Sequence, residues 1–338
     1  MIKRLFTCLL IVLNLQLYAA QPSWVGFYNL ENLFDTVSNV GVEDEDRTPH
    51  GRYRWTSERM ELKISKLHSV IDSINKAVAP YEWSILGVCE VENAGLVDQL
   101  CRRFDSGQNC RFVHFESPDL RGIDVALVYN AKRFRPTHFE RKRVNLFLSD
   151  DTPKYTRDLL VVSGWLTGVK VHFIVAHWPS RSGGQKRSEH FRSTASYYSR
   201  RIIDSIRTKD NDAQIILMGD LNDDPSDRSV RRLVKETVKF EGLYNPMEAL
   251  HQRGVGSIAH RDRWHLFDQL IFTSNFKTEG GLQLKGAGVF KRPFLTQQRG
   301  RFKDYPFRTF VGSNYQGGYS DHFPVIALLK TTGPKEYD

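Results

Sequence analysis

Short apolar runs, each the length of one β-strand and each closed by polar or turn-forming residues, recur along most of the chain. Runs of this kind, bounded by Gly, Pro, Asn or Asp, are typical of β-strands. Helical patterns separate some of them, and no internal repeat or Pro/Ser-rich linker divides the 338 residues. The pattern therefore predicts one α/β domain built on more than one sheet. The clearest runs are residues 24–28, 84–89, 123–129, 159–165, 171–176, 214–218, 269–272 and 324–329.

Three segments carry a helical pattern. Thr56 is placed to cap a helix that continues through Val78, with leucine and isoleucine recurring every 3.6 residues on one face. Residues 191–206 show the same period. Residues 226–238 form the third pattern, with Ser226 as the expected cap.

The first twenty residues have the pattern of a secretory signal peptide. Lys3 and Arg4 precede an apolar stretch over residues 5–17, and small residues follow it. The stretch is too short for a transmembrane anchor, and polar residues interrupt it. We therefore expect residues 1–20 to be removed, residues 21–338 to form a single domain, and the protein to be exported to the periplasm or the extracellular space.

The chain is basic. Removal of Lys3 and Arg4 would lower the formal net charge from +9 to +7, because residues 1–20 contain no acid. A basic exported protein suits polyanionic partners such as nucleic acid, phospholipid head groups or lipopolysaccharide. Plain solubility accounts for the same charge equally well.

Three cysteines remain after the expected cleavage, namely Cys89, Cys101 and Cys110. An oxidising compartment permits a disulfide, and Cys101 with Cys110 would close a small loop. Cys89 lies inside an apolar run, which favours a buried thiol. Their spacing does not match a zinc site.

The most informative motif is an acid and an amide at the end of an apolar run. Asp220 and Asn222 follow residues 215–217, and strand residues two apart point to the same side. An acid that orients or deprotonates water, beside an amide that donates to a phosphate oxygen, suits phosphoryl transfer. Gly, Asp and Asn are also ordinary turn formers, so the motif alone equally fits a turn.

Similar polar residues close other apolar runs. A single histidine at a strand end is usually a satisfied structural residue. A carboxylate there is costly unless it binds a cation or another partner. Repetition of such ends in one domain is hard to explain by packing, and favours a shared site. The further candidates are Asn29 and Glu31, Glu90, His177, Asp268, Asp321 and His322.

The ordered motifs, from Asn29 to His322, resemble the endonuclease/exonuclease/phosphatase superfamily. The superfamily includes DNase-I-like nucleases, exonuclease-III-like repair enzymes, sphingomyelinases and inositol polyphosphate phosphatases. Gly-Asp-x-Asn together with Ser-Asp-His carries most of the specificity. The resemblance implies a four-layer α/β-sandwich, in which two packed mixed sheets are flanked by helices. With the signal pattern, it implies an exported bacterial member.

The resemblance also implies a metal site. Glu90 is similar to the principal ligand of a catalytic Mg²⁺ or Mn²⁺, helped by Asn29, Glu31 and Asp321. Oxygen ligands without a Cys/His cluster favour a hard cation, in agreement. Many nucleases of the family have Asp where this chain has Glu31, and the longer side chain can still reach a metal.

Catalytic roles follow from the same resemblance. Asp220 would orient or deprotonate the attacking water, and Asn222 would hold the scissile phosphate. His322, paired to Asp268, would contact the phosphate or act as a base. His177 would stabilise the developing charge or protonate the leaving oxygen.

Two arginines are expected to contact the substrate. Arg181 lies in a basic loop that follows His177, and its planar fork matches phosphate oxygens. Arg157 is expected to act likewise at the start of a strand. A solvated surface arginine is the alternative for each.

Hydrolysis of a nucleic-acid phosphodiester by metal-activated water is the leading hypothesis, with the basic charge collecting the polyanion. One alternative is a sphingomyelinase-like or other phospholipid or inositol phosphate phosphoesterase. Residues 280–305 show no clear period, and aromatic residues such as Phe302 and Tyr305 would contact a membrane or stack on bases. Another alternative is an inactive phosphate-binding protein. We expect a monomer without a stable protein partner.

Overall fold

The computed structural model describes residues 22–104, 108–235 and 237–332. The expected signal peptide therefore lies outside the described residues. The strands are β1 (Ser23–Leu33), β2 (Glu82–Val91), β3 (Cys110–His114), β4 (Asp124–Asn130), β5 (Phe134–Lys142), β6 (Leu146–Phe147), β7 (Pro153–Lys154), β8 (Leu159–Leu166), β9 (Val169–His177), β10 (Gln214–Asp220), β11 (Ile258–His260), β12 (Arg263–His265), β13 (Asp268–Phe272), β14 (Leu282–Val289), β15 (Phe310–Val311), β16 (Asn314–Tyr315) and β17 (Val325–Thr331). The α-helices are α1 (Ser57–Val78), α2 (Ala94–Arg103), α3 (Gln185–Lys209), α4 (Arg228–Val234) and α5 (Met247–Gln252).

Two mixed sheets form the centre of the structure. The six-stranded sheet has the order β14-β17-β1-β2-β4-β3, and the five-stranded sheet has the order β13-β10-β9-β8-β5. Each sheet contains one parallel pair, β1 with β2 and β9 with β10, among antiparallel neighbours. All eight predicted runs lie in these sheets.

The apolar side chains explain the layering. Phe27 of the first sheet and Phe173 of the second share the core between the sheets. Ile64 of α1 packs in a second cluster on the outer face of the first sheet. Ile203 of α3 and Val230 of α4 pack in a third cluster on the outer face of the second. This order of helix, sheet, sheet and helix confirms the predicted four-layer α/β-sandwich.

Helix boundaries follow local capping. The Thr56 hydroxyl accepts a hydrogen bond from the Arg59 N–H, so α1 begins after Thr56 as predicted. The helix ends at Val78, also as predicted. The prediction for α4 was wrong at both ends. Its N-cap is Asp227, because the Ser226 hydroxyl lies 3.2 Å from His251 Nε2, and the backbone turns extended at Lys235.

Three strands of the two central sheets, β3, β5 and β14, were not predicted from the sequence. β14 lies in residues 280–305, which show no clear period, and it forms because it pairs with β17 along its whole length. β5 is an edge strand whose side chains are mostly exposed, so it carries no apolar run. β3 is the short edge strand of the other sheet and pairs with β4.

Cys101 at the end of α2 and Cys110 at the start of β3 form a disulfide, as the sequence permitted. Cys89 is a buried free thiol, as predicted. Within the described residues, none of the helices combines the length and the apolar character that crossing a bilayer requires.

Replacing both disulfide cysteines, Cys101→Ala with Cys110→Ala, should lower the free energy of unfolding by roughly 2–3 kcal/mol, since the bond restricts the unfolded chain. Urea denaturation measures this. Reductant should destabilise the parent protein and leave the variant unchanged. Equal sensitivity of both proteins to reductant would contradict the assignment.

Candidate active site

Strand register brings three of the predicted residues into one row across the second sheet. His177 ends β9, and Asp220 ends β10 directly opposite it in the parallel pair. On its other side, Asp220 lies opposite Asp268, the first residue of the antiparallel β13. Three strand ends therefore place an imidazole and two carboxylates side by side.

The first sheet supplies Asn29 to the same edge. Its Nδ2 donates to Asp220 Oδ2 at 3.0 Å, which links the two sheets at the site. Its Oδ1 accepts the Glu31 N–H at 2.9 Å, and its carbonyl accepts the Ser320 hydroxyl at 2.7 Å. Because both groups of the amide are engaged, the orientation of Asn29 is fixed.

Irregular backbone shapes the loops around this row. The β1–β2 register shifts between Asn29 and Leu33, and Glu31, Asn32, Glu90 and Asn222 all have φ between 50° and 59°. This left-handed region is uncommon for residues other than glycine, and such conformations concentrate at functional sites. The simple alternation of strand side chains therefore ends where the site begins.

Glu90 faces the row. Its Oε2 accepts the Asn32 N–H at 3.0 Å, and its Oε1 lies 3.8 Å from His177 Nε2. Oε1 has no hydrogen bond among the described residues, so one carboxylate oxygen is available to a ligand.

Glu31 does not share the cleft with Asn29, contrary to the prediction from two-residue spacing. Its carboxylate accepts the backbone N–H groups of Thr309 at 2.6 Å and Phe310 at 3.3 Å. Lys63 Nζ lies 3.6 Å from it and also donates to the Glu31 carbonyl. Since the positive φ at Glu31 turns the side chain this way, Glu31 anchors the chain near Thr309 and is not a direct candidate ligand.

His322 is held by a buried carboxylate. Its Nδ1 lies 2.6 Å from Asp268 Oδ2, which also accepts the Ser257 hydroxyl at 2.5 Å. Burial disfavours the charged ring, but Asp268 outweighs burial and holds the pKa of His322 well above its ordinary value. The ring is therefore an imidazolium whose Nε2 faces Asp220 Oδ2 at 3.9 Å.

Asp220 and His177 are tuned in different ways. Burial, together with the neighbouring Asp268, raises the pKa of Asp220 to about 7 despite the opposing charge of His322. Burial and the nearby charge of Arg157 lower the pKa of His177 well below its ordinary value. His177 is therefore a neutral imidazole, with Nε2 at 3.7 Å from Asp220 Oδ2.

Asn222 lies just beyond β10. Its N–H donates to Asp220 Oδ1 and its Nδ2 donates to the Trp178 carbonyl, each at 2.9 Å. The amide is thus beside Asp220, as predicted, but its donor is engaged with backbone.

The two predicted phosphate-binding arginines are occupied by protein groups. Arg181 Nη2 lies within 3.5 Å of three carboxylates and its Nε donates to the Asn222 carbonyl. Arg157 is buried, pairs with Asp119 at 2.8 Å and donates to the Trp178 carbonyl. These guanidinium groups therefore support the loops that carry His177 and Asn222, and direct contact of either with a substrate stays a prediction.

The donor chemistry fits a hard divalent cation. The free Oε1 of Glu90 and the half-buried carboxylate of Asp321 offer oxygen ligands beside Asp220 and Asp268. Such oxygen ligands are the ones that Mg²⁺ and Mn²⁺ use. The nearby Cys89 thiol is not a competing ligand, since burial raises its pKa well above the ordinary value.

Sequence reasoning missed Lys63, Ser257 and Arg308. Lys63 did carry a signal, because the helical period places it on the buried face of α1 between Met60 and Leu67. Arg308 lies 3.2 Å from Asp321, and Ser257 contacts Asp268. Neither of these two pairings is visible in the local sequence.

Known proteins share the sequence pattern and the fold of this chain. The sequence profile described as "Endonuclease/Exonuclease/phosphatase family" matches residues 24–331. No curated protein sequence matches the chain.

Solved structures share the fold at low identity. A family protein from Bacteroides thetaiotaomicron is 16% identical, with a TM-score of 0.56 over 93% of this chain and 96% of that one. A mannosyl-6-phosphatase from the same organism is also 16% identical, with a TM-score of 0.54 over 91% and 99%. TDP2 from D. rerio, in complex with a single-stranded DNA product, is 14% identical, with a TM-score of 0.54 over 92% and 99%.

The Lys63–Glu31 pair yields a stability prediction. Lys63→Met should destabilise the fold by about 3–5 kcal/mol, because it leaves a buried carboxylate without its cation. Adding Glu31→Gln should recover part of this loss. Urea denaturation is the measurement, and Lys76→Met on the exposed face of α1 is the matched control, expected to change stability by less than about 0.5 kcal/mol. Equal effects of the two lysine substitutions would contradict the role of the pair.

Proposed function

Because this chain belongs to the endonuclease/exonuclease/phosphatase family, we propose that it is a divalent-metal-dependent phosphodiesterase that acts on nucleic acid. The chain is a hydrolase of phosphoric ester bonds by its family. Three points are proposed beyond the family assignment. The enzyme depends on a divalent metal, it hydrolyses diesters, and its substrate is nucleic acid.

The observation that carries the proposal is the contact set around Asp220. This carboxylate receives Asn29 Nδ2 and the Asn222 N–H, and it faces the charged His322. A carboxylate whose pKa is raised to about 7 beside a cationic donor suits general-base hydrolysis of a phosphate ester.

Each residue of the site has a separate role in the proposed reaction. His322 Nε2 donates to a non-bridging phosphate oxygen, while Asp268 retains the ring orientation through Nδ1. Asp220 orients the attacking water and takes its proton. The neutral His177 donates a hydrogen bond to the oxygen on which charge develops, because its low pKa makes it a poor source of a proton.

Glu90, with Asp321 and Asn29 nearby, would hold the divalent cation. A bound Mg²⁺ or Mn²⁺ supplies neutralisation of the charge that develops on the phosphoryl oxygens. Asn29 contributes in any case by fixing Asp220, and Arg308 limits the freedom of Asp321.

Nucleic acid is favoured over a lipid surface. Of the two aromatic residues expected to contact a membrane or to stack on bases, Phe302 is exposed and Tyr305 packs against Phe302 and Trp264. The expected charge of +7 after cleavage and the structural neighbour that holds a DNA product support the nucleic-acid proposal. Export of the protein is part of the same proposal and rests on the signal pattern of residues 1–20. A monomeric state is proposed as well.

Asp268→Asn should lower kcat by about 10²- to 10⁴-fold, because the imidazolium of His322 loses its buried counter-charge. Asp304→Asn, an exposed change, is the matched control and should leave kcat unchanged. Rates on bis-p-nitrophenyl phosphate with Mg²⁺ give the comparison. A fully active Asp268→Asn enzyme would contradict the role of the pair.

The substrate class is tested with plasmid DNA, RNA, sphingomyelin and inositol phosphates, each with Mg²⁺ and with EDTA. We expect cleavage of nucleic acid that EDTA abolishes. Hydrolysis of lipid or inositol phosphate alone would contradict the proposed nucleic-acid substrate. If none of the esters were hydrolysed, the proposed enzymatic activity would be refuted.

A further inference from the structure

A cavity of about 310 Å³ opens next to the active site. One wall is the β11–β12 hairpin, and the other is the segment from Gln297 to Val311. The hairpin is joined to the catalytic pair, because Ile258 forms a β-bridge with His322 and Ser257 bonds to Asp268. On the other wall, Arg308 contacts Asp321. Both walls of the cavity are therefore connected to active-site residues, one to His322 and Asp268 and the other to Asp321.

The cavity is positively charged. Arg261 and Arg301 both line it, and neither has a carboxylate partner among the residues that the structure describes. This distinguishes them from Arg157, which pairs with Asp119, and from Arg181, which pairs with Asp227 and two further acids. Unpaired arginines in a concave site are suited to phosphate, because the guanidinium fork matches its oxygens.

Asp262 also lines the cavity and offsets part of this charge, but the arginines outnumber it. Asp262 Oδ1 accepts a hydrogen bond from the Tyr305 hydroxyl at 2.6 Å, and the Asp262 N–H donates to the Tyr305 hydroxyl oxygen at 2.8 Å. The local field is visible at His260, since burial and the nearby charges of Arg261 and Arg308 lower its pKa.

The backbone at the hairpin tip is unusual. Arg261 and Asp262 form the two-residue turn between β11 and β12, with φ of 49° and 60°. Such turns favour Asn and Gly, because these residues adopt positive φ at least cost. An arginine here is held in an unfavourable conformation that places its guanidinium at the mouth of the cavity.

An aromatic surface lies beside Arg301. Phe302 is 39% exposed, and its ring packs at 5.6 Å from Tyr305. Tyr305 is fixed by its bonds to Asp262 and by the Trp264 ring at 5.9 Å. The Arg301 guanidinium lies 5.8 Å from the centroid of the Phe302 ring. A supported, partly exposed ring beside a cation is suited to stacking with a planar group that carries a phosphate.

We infer that this cavity binds a terminal, phosphate-bearing nucleotide of the substrate beside the scissile phosphate. Arg261 and Arg301 hold its terminal phosphate, and its base stacks on Phe302. The inference rests on the proposed function, in that the neighbouring site cleaves a nucleic-acid diester. The combination of a ring and two cations favours a nucleotide over a lipid head group, which has no base to stack.

The test uses thymidine dinucleotides with and without a terminal phosphate at either end, hydrolysed in Mg²⁺. The enzyme should show a KM about tenfold or more lower for a phosphorylated dinucleotide, as expected for bonds to a charged group. Arg261→Ala with Arg301→Ala should remove this preference and leave kcat nearly unchanged. Arg299→Ala, an exposed arginine of the same segment outside the cavity, is the matched control and should keep it.

Stacking is tested separately. Phe302→Ala should raise KM for the phosphorylated dinucleotide about fivefold to a hundredfold. It should have little effect when the terminal residue is abasic, and Phe302→Trp should restore the lower KM. An equal rise in KM for both substrates would overturn the stacking role.

Bis-p-nitrophenyl phosphate separates this inference from the function on which it rests. The double arginine variant should hydrolyse it at the parent rate, which also shows that the variant is folded. An enzyme that cleaves this ester but shows no preference for a terminal phosphate overturns the inference alone. An enzyme that prefers sphingomyelin to every dinucleotide also overturns the inference, and inactivity on all substrates overturns both.

Discussion

Two buried carboxylates, Asp220 and Asp268, lie directly opposite each other on neighbouring strands. Like charges at facing positions are destabilising, and burial increases the effect. The structure compensates with the His322 imidazolium, which bonds to Asp268 and faces Asp220, and with the amide of Asn29 from the other sheet. The same environment raises the pKa of Asp220 to about 7 and holds the pKa of His322 well above its ordinary value, which is the basis of the roles proposed for these two residues.

The two histidines of the site illustrate how environment assigns roles to identical side chains. Both are buried. His322 Nδ1 lies 2.6 Å from the Asp268 carboxylate, whereas Arg157 is the charge that contributes most to lowering the pKa of His177. One ring is therefore a cation and the other a neutral donor. Arg157 contributes to this field and fixes the backbone at Trp178, whereas Arg181 fixes the backbone at Asn222.

Much of this arrangement could be predicted from the sequence. Apolar runs locate the strands, and since parallel neighbours end at one edge, they also indicate that His177 and Asp220 lie close together. Side-chain direction was less predictable. The Glu31 side chain turns toward Thr309, 278 residues away in the sequence, because the backbone at Glu31 has a positive φ. No glycine at this position indicates that conformation in the sequence. The partners of Arg181 and the strand β14 likewise depend on contacts that are formed only in the folded chain.

The central claim is that the strand ends form one site for a divalent cation and a phosphate. A crystal structure with Mn²⁺ and inorganic phosphate, using the anomalous signal of manganese, tests it most directly. The account predicts manganese at Glu90 Oε1 and phosphate in contact with His322 Nε2. Manganese at the separate group of His114, Glu116 and Asp124, with Glu90 empty, or phosphate away from His322, would contradict it.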